Sequence, residues 1–230
     1  KSRPGWLRGL SRALPILLGY IPVAFATGVL AQKTGLSTLN TLLMSTIVYA
    51  GSAQLIAIGL IGALASPVTI VVTTFIVNLR HLLLSAAVSP RLKGWRTGEL
   101  AAFAYELTDE TFALHVSTPG SGTLEKSVVF TVNVIAHVTW FFGTWLGILA
   151  GQAIQDVKPF ALDYALAAMF IALLVVQIRN LTQAGVAVLA GGLSVALLLA
   201  GLDQWSVIVA TVAAATAGLL IETWTRKPSS

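Results

Sequence analysis

The chain has 230 residues, 56% hydrophobic and 10% charged, with a formal net charge of +5 and no cysteine. A soluble domain carries about 25% charged residues, so this is a polytopic membrane protein, and its length counts apolar spans of about 20 residues rather than globular domains. Without cysteine there are no disulfides, iron–sulfur clusters or thiolate metal sites; the bases cluster at chain ends and in one connection, as beside an anionic membrane and not as in a nucleic-acid surface.

The sequence predicts an all-α transmembrane helix bundle of seven to eight segments, forming one membrane domain over 1–230. A basic segment at 1–12 precedes it and a polar tail at 224–230 ends it. Helix is required because lipid leaves no partner for an unbonded backbone group, and the runs lack the alternation of barrel strands. "KSRPGWLRGLSR" resembles a signal-peptide n-region, but the apolar run behind it is too long, so it reads as the approach to span 1.

Span 1 covers about 13–31 and contains "GYIPVAFATG", where Pro22 removes a backbone hydrogen bond between Gly19 and Gly28. Span 2, about 38–64, contains "YAGSAQL". Tyr49, Gly51, Ser52 and Gln54 here either mark close helix packing or an unwound stretch that binds a solute. Span 3, about 67–89, carries "NLRHLLLS". Between Ala13 and Pro90 the only charged residues are Lys33 and Arg80, and Arg80 sits near the middle of this span. A charge there costs about 2.5–3.5 kcal/mol on insertion scales and needs a cavity or partner. Thr74, Asn78, His81 and Ser85 share one helical face, and Arg80 lies on another. The span therefore has two polar surfaces or unwinds near 78–81.

Residues 98–117, "GELAAFAYELTDETFALHVS", form the unusual segment. It is long enough to cross, yet it holds Glu99, Glu106, Asp109 and Glu110 from a total of nine acids. On one continuous helix these four share a stripe, and Arg80 is their natural partner. Span 5, about 128–151, has a third polar stripe: Asn133, His137, Trp140 and Thr144. His137 suits either a bonded core residue or a proton carrier. Spans 6, 7 and 8 cover about 160–178, 181–202 and 205–223. In the last, Ala210, Ala214 and Gly218 make a small-residue association face. "GVLAQ" at 28–32 and "GILAGQ" at 147–152 hint at an internal repeat.

Orientation carries a conflict. Bases before span 1 and after span 8 place both termini in the cytoplasm, yet Arg91, Lys93 and Arg96 after span 3 would then lie outside. Either the N-terminal cluster dominates or one early segment does not cross fully.

No HExxH, GxSxG or P-loop is present, and His81, His115 and His137 form no zincin pair. Enzymatic activity, a metal and a cofactor are therefore not expected.

"GYIPVAFATGVLAQKTGLS", "YAGSAQL", "NLRHLLLS" and "LTDETFAL", in this order, resemble the azaleucine-resistance AzlC family, the large subunits of branched-chain amino acid exporters. Relatives often have Phe where Tyr49 and Leu55 stand. The resemblance implies export of aliphatic amino acids across a bacterial inner membrane with a small AzlD-type partner. Candidate substrate contacts are Pro22, Tyr49, Gly51, Ser52, Gln54, Asn78 and Arg80. Candidates for proton coupling or ion pairing are His81, Glu106, Asp109, Glu110 and His137. The alternative is a non-transporting subunit that scaffolds or gates a partner.

Overall fold

The computed structural model describes residues 4–117, 122–153, 164, 171, 174–175, 178, 180–202 and 206–225. Among these the secondary structure is helical, without strands. The chain divides into two compact units, Lys1–Leu166 and Ala167–Ser230. Among the described residues four helices are long and apolar enough to cross a membrane: Gly5–Lys33, Pro67–Leu92, Lys126–Ala153 and Leu181–Leu199.

Unit 1 is built on two long parallel helices, α1 (Gly5–Lys33) and α8 (Lys126–Ala153). Their register is read from glycines. A Cβ on Gly9 would meet Thr131, one on Gly143 would lie 2.7 Å from Ala24 Cβ, and one on Gly151 would meet Gln32. At Gly28 and Gly147 an added Cβ would collide with the facing backbone. Small residues at these steps let the helices touch along their length, which dispersion rewards where lipid supplies no hydrophobic drive. The two similar stretches that begin at Gly28 and Gly147 lie side by side in this contact.

α1 runs unbroken through Pro22, which is exposed, so the interruption expected there is absent. Gly28 serves close packing instead of loosening the helix. α1 also starts at Gly5, which makes most of the 1–12 segment part of the helix.

The second segment does not cross. α2 (Thr38–Leu43) passes into a π turn at Met44–Val48, then breaks at Tyr49 and Ala50 before α3 (Gly51–Gly62). Tyr49 has φ +41°, a left-handed conformation uncommon for a bulky residue. α2 begins just after Lys33, and a Cβ on Gly62 would lie 2.8 Å from Thr34 Cγ2. Gly51 packs instead on Trp140, halfway along α8. The segment is therefore a helical hairpin that enters and leaves at the Lys33 end, with its tip at mid-bundle.

The third segment does cross. α4 (Pro67–Asn78) is capped by Ser66 and continues as α5 (Arg80–Val88) after a tightened turn at Leu79. A 3₁₀ turn, Ser89–Leu92, then reaches the opposite end, where the Leu124 amide bonds the Arg91 carbonyl at 2.9 Å.

The fourth segment is a second hairpin, entering from this opposite end. α6 (Thr97–Tyr105) starts beside Lys126, which bonds Glu99 Oε1 at 2.7 Å. The chain turns at Glu106–Thr108, and α7 (Asp109–Val116) returns to Arg91, whose Nη1 donates to the His115 carbonyl at 2.9 Å. The four acids thus do not form one stripe. Glu99 lies at the base of the hairpin, away from its tip, its carboxyl held below the ordinary carboxylate range by the Lys126 hydrogen bond and then by the Arg96 amide.

This arrangement resolves the charge conflict. With the second segment turned back, Arg8, which pairs with Glu125 at 2.6 Å, lies at the same end as Arg91, Lys93 and Arg96.

In unit 2, α9 (Leu181–Leu199) and α10 (Ser206–Thr225) pack antiparallel, and a Cβ on Gly218 would lie 2.7 Å from Val186 Cγ2. Ala210 and Ala214 are buried, so the small-residue face is used within the chain. Most of span 6 falls outside the described residues, as do residues 226–230, while 224 and 225 of the expected polar tail belong to α10.

Candidate functional site

The two hairpin tips meet halfway along α8, and the polar residues of both are gathered there. The first hairpin presents a broken backbone. Tyr49 N–H reaches back to the Met44 carbonyl at 3.1 Å, one residue further than an α-helix would. This releases the Ser45 and Thr46 carbonyls from the ladder. A freed carbonyl in a low-dielectric interior needs a donor, and His137 and Tyr105 supply them. His137 Nε2 lies 3.1 Å from Ser45 O, and the Tyr105 hydroxyl donates to Thr46 O. Beyond the break, α3 has no side-chain cap, so its first amides point N–H groups and positive helix-dipole charge at the tip. Gly51 is required here, since a Cβ would lie 2.7 Å from the Trp140 ring.

The second tip is the "LTDET" sequence. Thr108 caps α7: its hydroxyl accepts from Thr111 N–H at 3.3 Å, and Thr111 Oγ1 accepts from Thr108 N–H at 2.9 Å. Asp109 and Glu110 occupy the first turn of α7, where the helix dipole favours negative charge.

Arg80 joins the two tips. Its Nη1 lies 2.8 Å from Asp109 Oδ2, and its Nη2 donates to Ser52 Oγ at the start of α3. The pair is only partly shielded, with side chains 26% and 14% exposed. Arg80 Nε is buried without a partner. The expected pairing of Arg80 with the acids of the fourth segment therefore falls on Asp109. Glu110 instead accepts from the Tyr20 hydroxyl of α1 at 2.9 Å, and Tyr20 Oη also lies 2.7 Å from Thr108 Oγ1.

Glu106 pairs with His137, whose Nδ1 lies 3.0 Å from Oε1 and 3.1 Å from Oε2. The Tyr49 ring stacks on the imidazole, with centroids 3.9 Å apart and planes 11° from parallel. The rest of the α8 stripe is bonded too. Trp140 Nε1 donates to Gln54 Oε1 at 3.0 Å, Gln54 Nε2 donates to Ser45 Oγ at 3.3 Å, and Ser45 Oγ donates to Thr144 Oγ1 at 3.1 Å. Asn133 Oδ1 bonds His115 Nε2 at 2.8 Å and secures the returning arm of the second hairpin.

Gln54 is 1% exposed. Replacing Trp140 with phenylalanine strands its amide oxygen, and the expected loss is about 1–3 kcal/mol, read as lowered thermal stability of the detergent-solubilised protein. An unchanged unfolding temperature would show that Gln54 finds another donor.

Of the candidate residues, Tyr49, Gly51, Ser52, Gln54, Arg80, Glu106, Asp109, Glu110 and His137 are brought together. Pro22 is exposed on α1 and takes no part. Asn78 lies two residues before Arg80, at the end of α4, with Oδ1 buried and unpartnered, and His81 hydrogen-bonds back to the Asn78 carbonyl. Sequence reasoning missed Tyr20, Ser45, Tyr105 and Thr108. Thr108 had a readable signal, a threonine immediately before two acids at a helix start. Ser45 had none, because its role comes from the π turn. No group of three or more histidine, aspartate or glutamate residues suited to a metal ion occurs among the described residues.

Residues 15–154 match the family described as AzlC protein. The chain is 33% identical to an uncharacterized membrane protein of Helicobacter pylori, over 77% of this chain and 79% of the relative. It is 29% identical to inner membrane protein YgaZ of Escherichia coli, over 94% of this chain and 88% of the relative. It is 26% identical to branched-chain amino acid transport protein AzlC of Bacillus subtilis, over 84% of this chain and 76% of the relative. No solved structure matches.

Proposed function

Because the chain belongs to the AzlC family, a family of membrane transport proteins, we propose that it exports branched-chain amino acids across the inner membrane, exchanging them for protons and working with a small AzlD-type membrane subunit. The observation that carries the reading is the Arg80–Asp109 pair between the two hairpin tips.

An aliphatic amino acid is a zwitterion with an apolar tail. Its carboxylate suits Arg80 together with the first amides of α3 at Gly51 and Ser52. Its ammonium suits Asp109. Inserting the substrate replaces one internal ion pair by two intermolecular ones, so neither charge is left unpaired in the bundle. The leucine, isoleucine and valine side chains of the surrounding helices suit its apolar tail.

Hairpins that enter from opposite ends give the site two separate gates. Withdrawal of one tip opens a path to one side, and withdrawal of the other opens the opposite path. Discontinuous helices meeting at mid-membrane are a recurring transporter design. The positive-inside rule places the Arg8, Arg91, Lys93 and Arg96 end in the cytoplasm, so the second hairpin is the inner gate and the first the outer one.

The test is counterflow of labelled leucine in proteoliposomes, with and without the small subunit. Leucine exchange above protein-free vesicles is expected. A scaffold or gating subunit does not need an ion pair in its interior, and absence of counterflow in both preparations would favour that role.

A further inference from the structure

We infer that His137 and Glu106 form a single-proton binding site whose occupancy is read by the Ser45 carbonyl, so that one proton latches the first hairpin to the second. The role in coupling rests on the transport reading above; the proton site itself rests on geometry.

Both imidazole nitrogens of His137 face oxygen atoms. Nδ1 is 3.0 Å and 3.1 Å from the two Glu106 carboxylate oxygens, and Nε2 is 3.1 Å from the Ser45 carbonyl. A neutral imidazole has one N–H and one lone pair. It can satisfy one of these contacts, while its lone pair opposes the other. Both contacts hold together only with one additional proton, either as imidazolium with carboxylate or as neutral histidine with a protonated carboxyl. In each form Nε2–H is free to donate to Ser45 O.

The carbonyl is the mechanical element. Ser45 O is available because the π turn has taken it from the helix ladder. His137 on α8 therefore holds the first tip through Nε2 and the second tip through Nδ1. When the proton leaves, one link is lost, and the first tip keeps the Tyr105–Thr46 contact and the Gln54 bonds. Of the two kinds of side chain, imidazole is the one whose unperturbed charge change falls between about pH 5 and 8. The sign follows directly: the latch is closed at low pH and released as pH rises through the titration of the pair.

The ionisable neighbours come from every packed element. They are Tyr49 of the first hairpin, Tyr105, Asp109 and Glu110 of the second, Tyr20 of α1 and Arg80 of α5. The Arg80–Asp109 pair is internally compensated. Glu110 is bonded to Tyr20, which leaves Glu106 as the carboxylate bonded to the imidazole.

The experiment is hydrogen exchange of residues 44–54 in the solubilised full chain, corrected for intrinsic pH dependence. Protection in the unaltered protein is expected to fall about tenfold between about pH 6 and about pH 9. In Glu106→Gln the side-chain amide can donate to Nδ1 and leave Nε2–H on Ser45 O, so protection stays high across the range. His137→Gln is expected to lack the pH dependence and to stay weakly protected throughout. Protection independent of pH in the unaltered protein, or an unchanged slope in Glu106→Gln, would overturn the site. Should that variant not fold, ¹⁵N-histidine spectra of the unaltered protein decide. The ¹⁵N signal absent from His137→Gln is expected to lose a proton as pH rises, or infrared spectra are expected to lose a carboxyl C=O stretch over the same range; the absence of both changes would refute the site. Leucine counterflow enters none of these readouts, so failure here leaves the transport reading standing, and the converse also holds.

Discussion

Arg80→Gln is expected to reduce leucine counterflow to the level of protein-free vesicles. Two losses combine. The substrate carboxylate loses its cation, and Asp109 is left as a shielded carboxylate without its partner at 2.8 Å. Removing one member of a buried pair costs about 3–5 kcal/mol; the partial exposure here places the loss at the lower end. Stability and transport can be separated. In Arg80→Gln with Asp109→Asn no unpaired charge remains, so thermal stability should recover most of the loss while counterflow stays at background. If the double variant transported leucine, the ion pair would be a structural clasp and not the substrate site.

Gly147→Leu is expected to remove folded protein from the membrane. A Cβ at Gly147 would collide with the carbonyl of Phe25, and one at Gly28 with the carbonyl of Thr144. These neighbours are backbone and cannot turn aside as a side chain can. The parallel helices α1 and α8 must then separate, and the whole hairpin site is hung between them. Overpacking in a side-chain core costs about 1–3 kcal/mol, and a backbone collision exceeds that range. Gly19→Ala and Gly59→Ala are the controls, because a Cβ at either position meets nothing within 4 Å. They should be neutral or stabilise by about 0.4–1 kcal/mol. The recovered monodisperse fraction after size-exclusion chromatography distinguishes the two classes.

The α8 stripe was fully legible in the sequence. Asn133, His137, Trp140 and Thr144 recur at helical spacing on an otherwise apolar helix, and each one bonds a different partner. Arg80 was legible for a similar reason, since a lone central charge demands an opposite one. The hairpins were not. Hydropathy reports length and composition, and residues 38–62 are long and apolar enough to span. The break lies at Tyr49 and Ala50, where neither glycine nor proline announces a left-handed turn. It is held by His137 and Tyr105, which donate to the freed carbonyls and lie far along the chain. The sequence held two traces: the small-residue run "YAGSAQL", which allowed an unwound stretch at this place, and the charge conflict, because bases at 91–96 could share a side with the N-terminus only if an early segment turned back. The acidic stripe failed for a related reason. A helical projection assumes an uninterrupted helix, and the turn at 106–108 rotates Glu99 away from the other acids.

Transport through opposed hairpins has one geometric requirement, which the cysteine-free chain makes direct to test. Single cysteines at Thr38 and Ala63, and at Lys93 and Thr123, can be labelled with an impermeant maleimide in sealed vesicles of either orientation. Two hairpins predict that 38 and 63 react from one face and that 93 and 123 both react from the other. If 38 and 63 react from opposite faces, the second segment crosses the membrane and the tips do not meet as described.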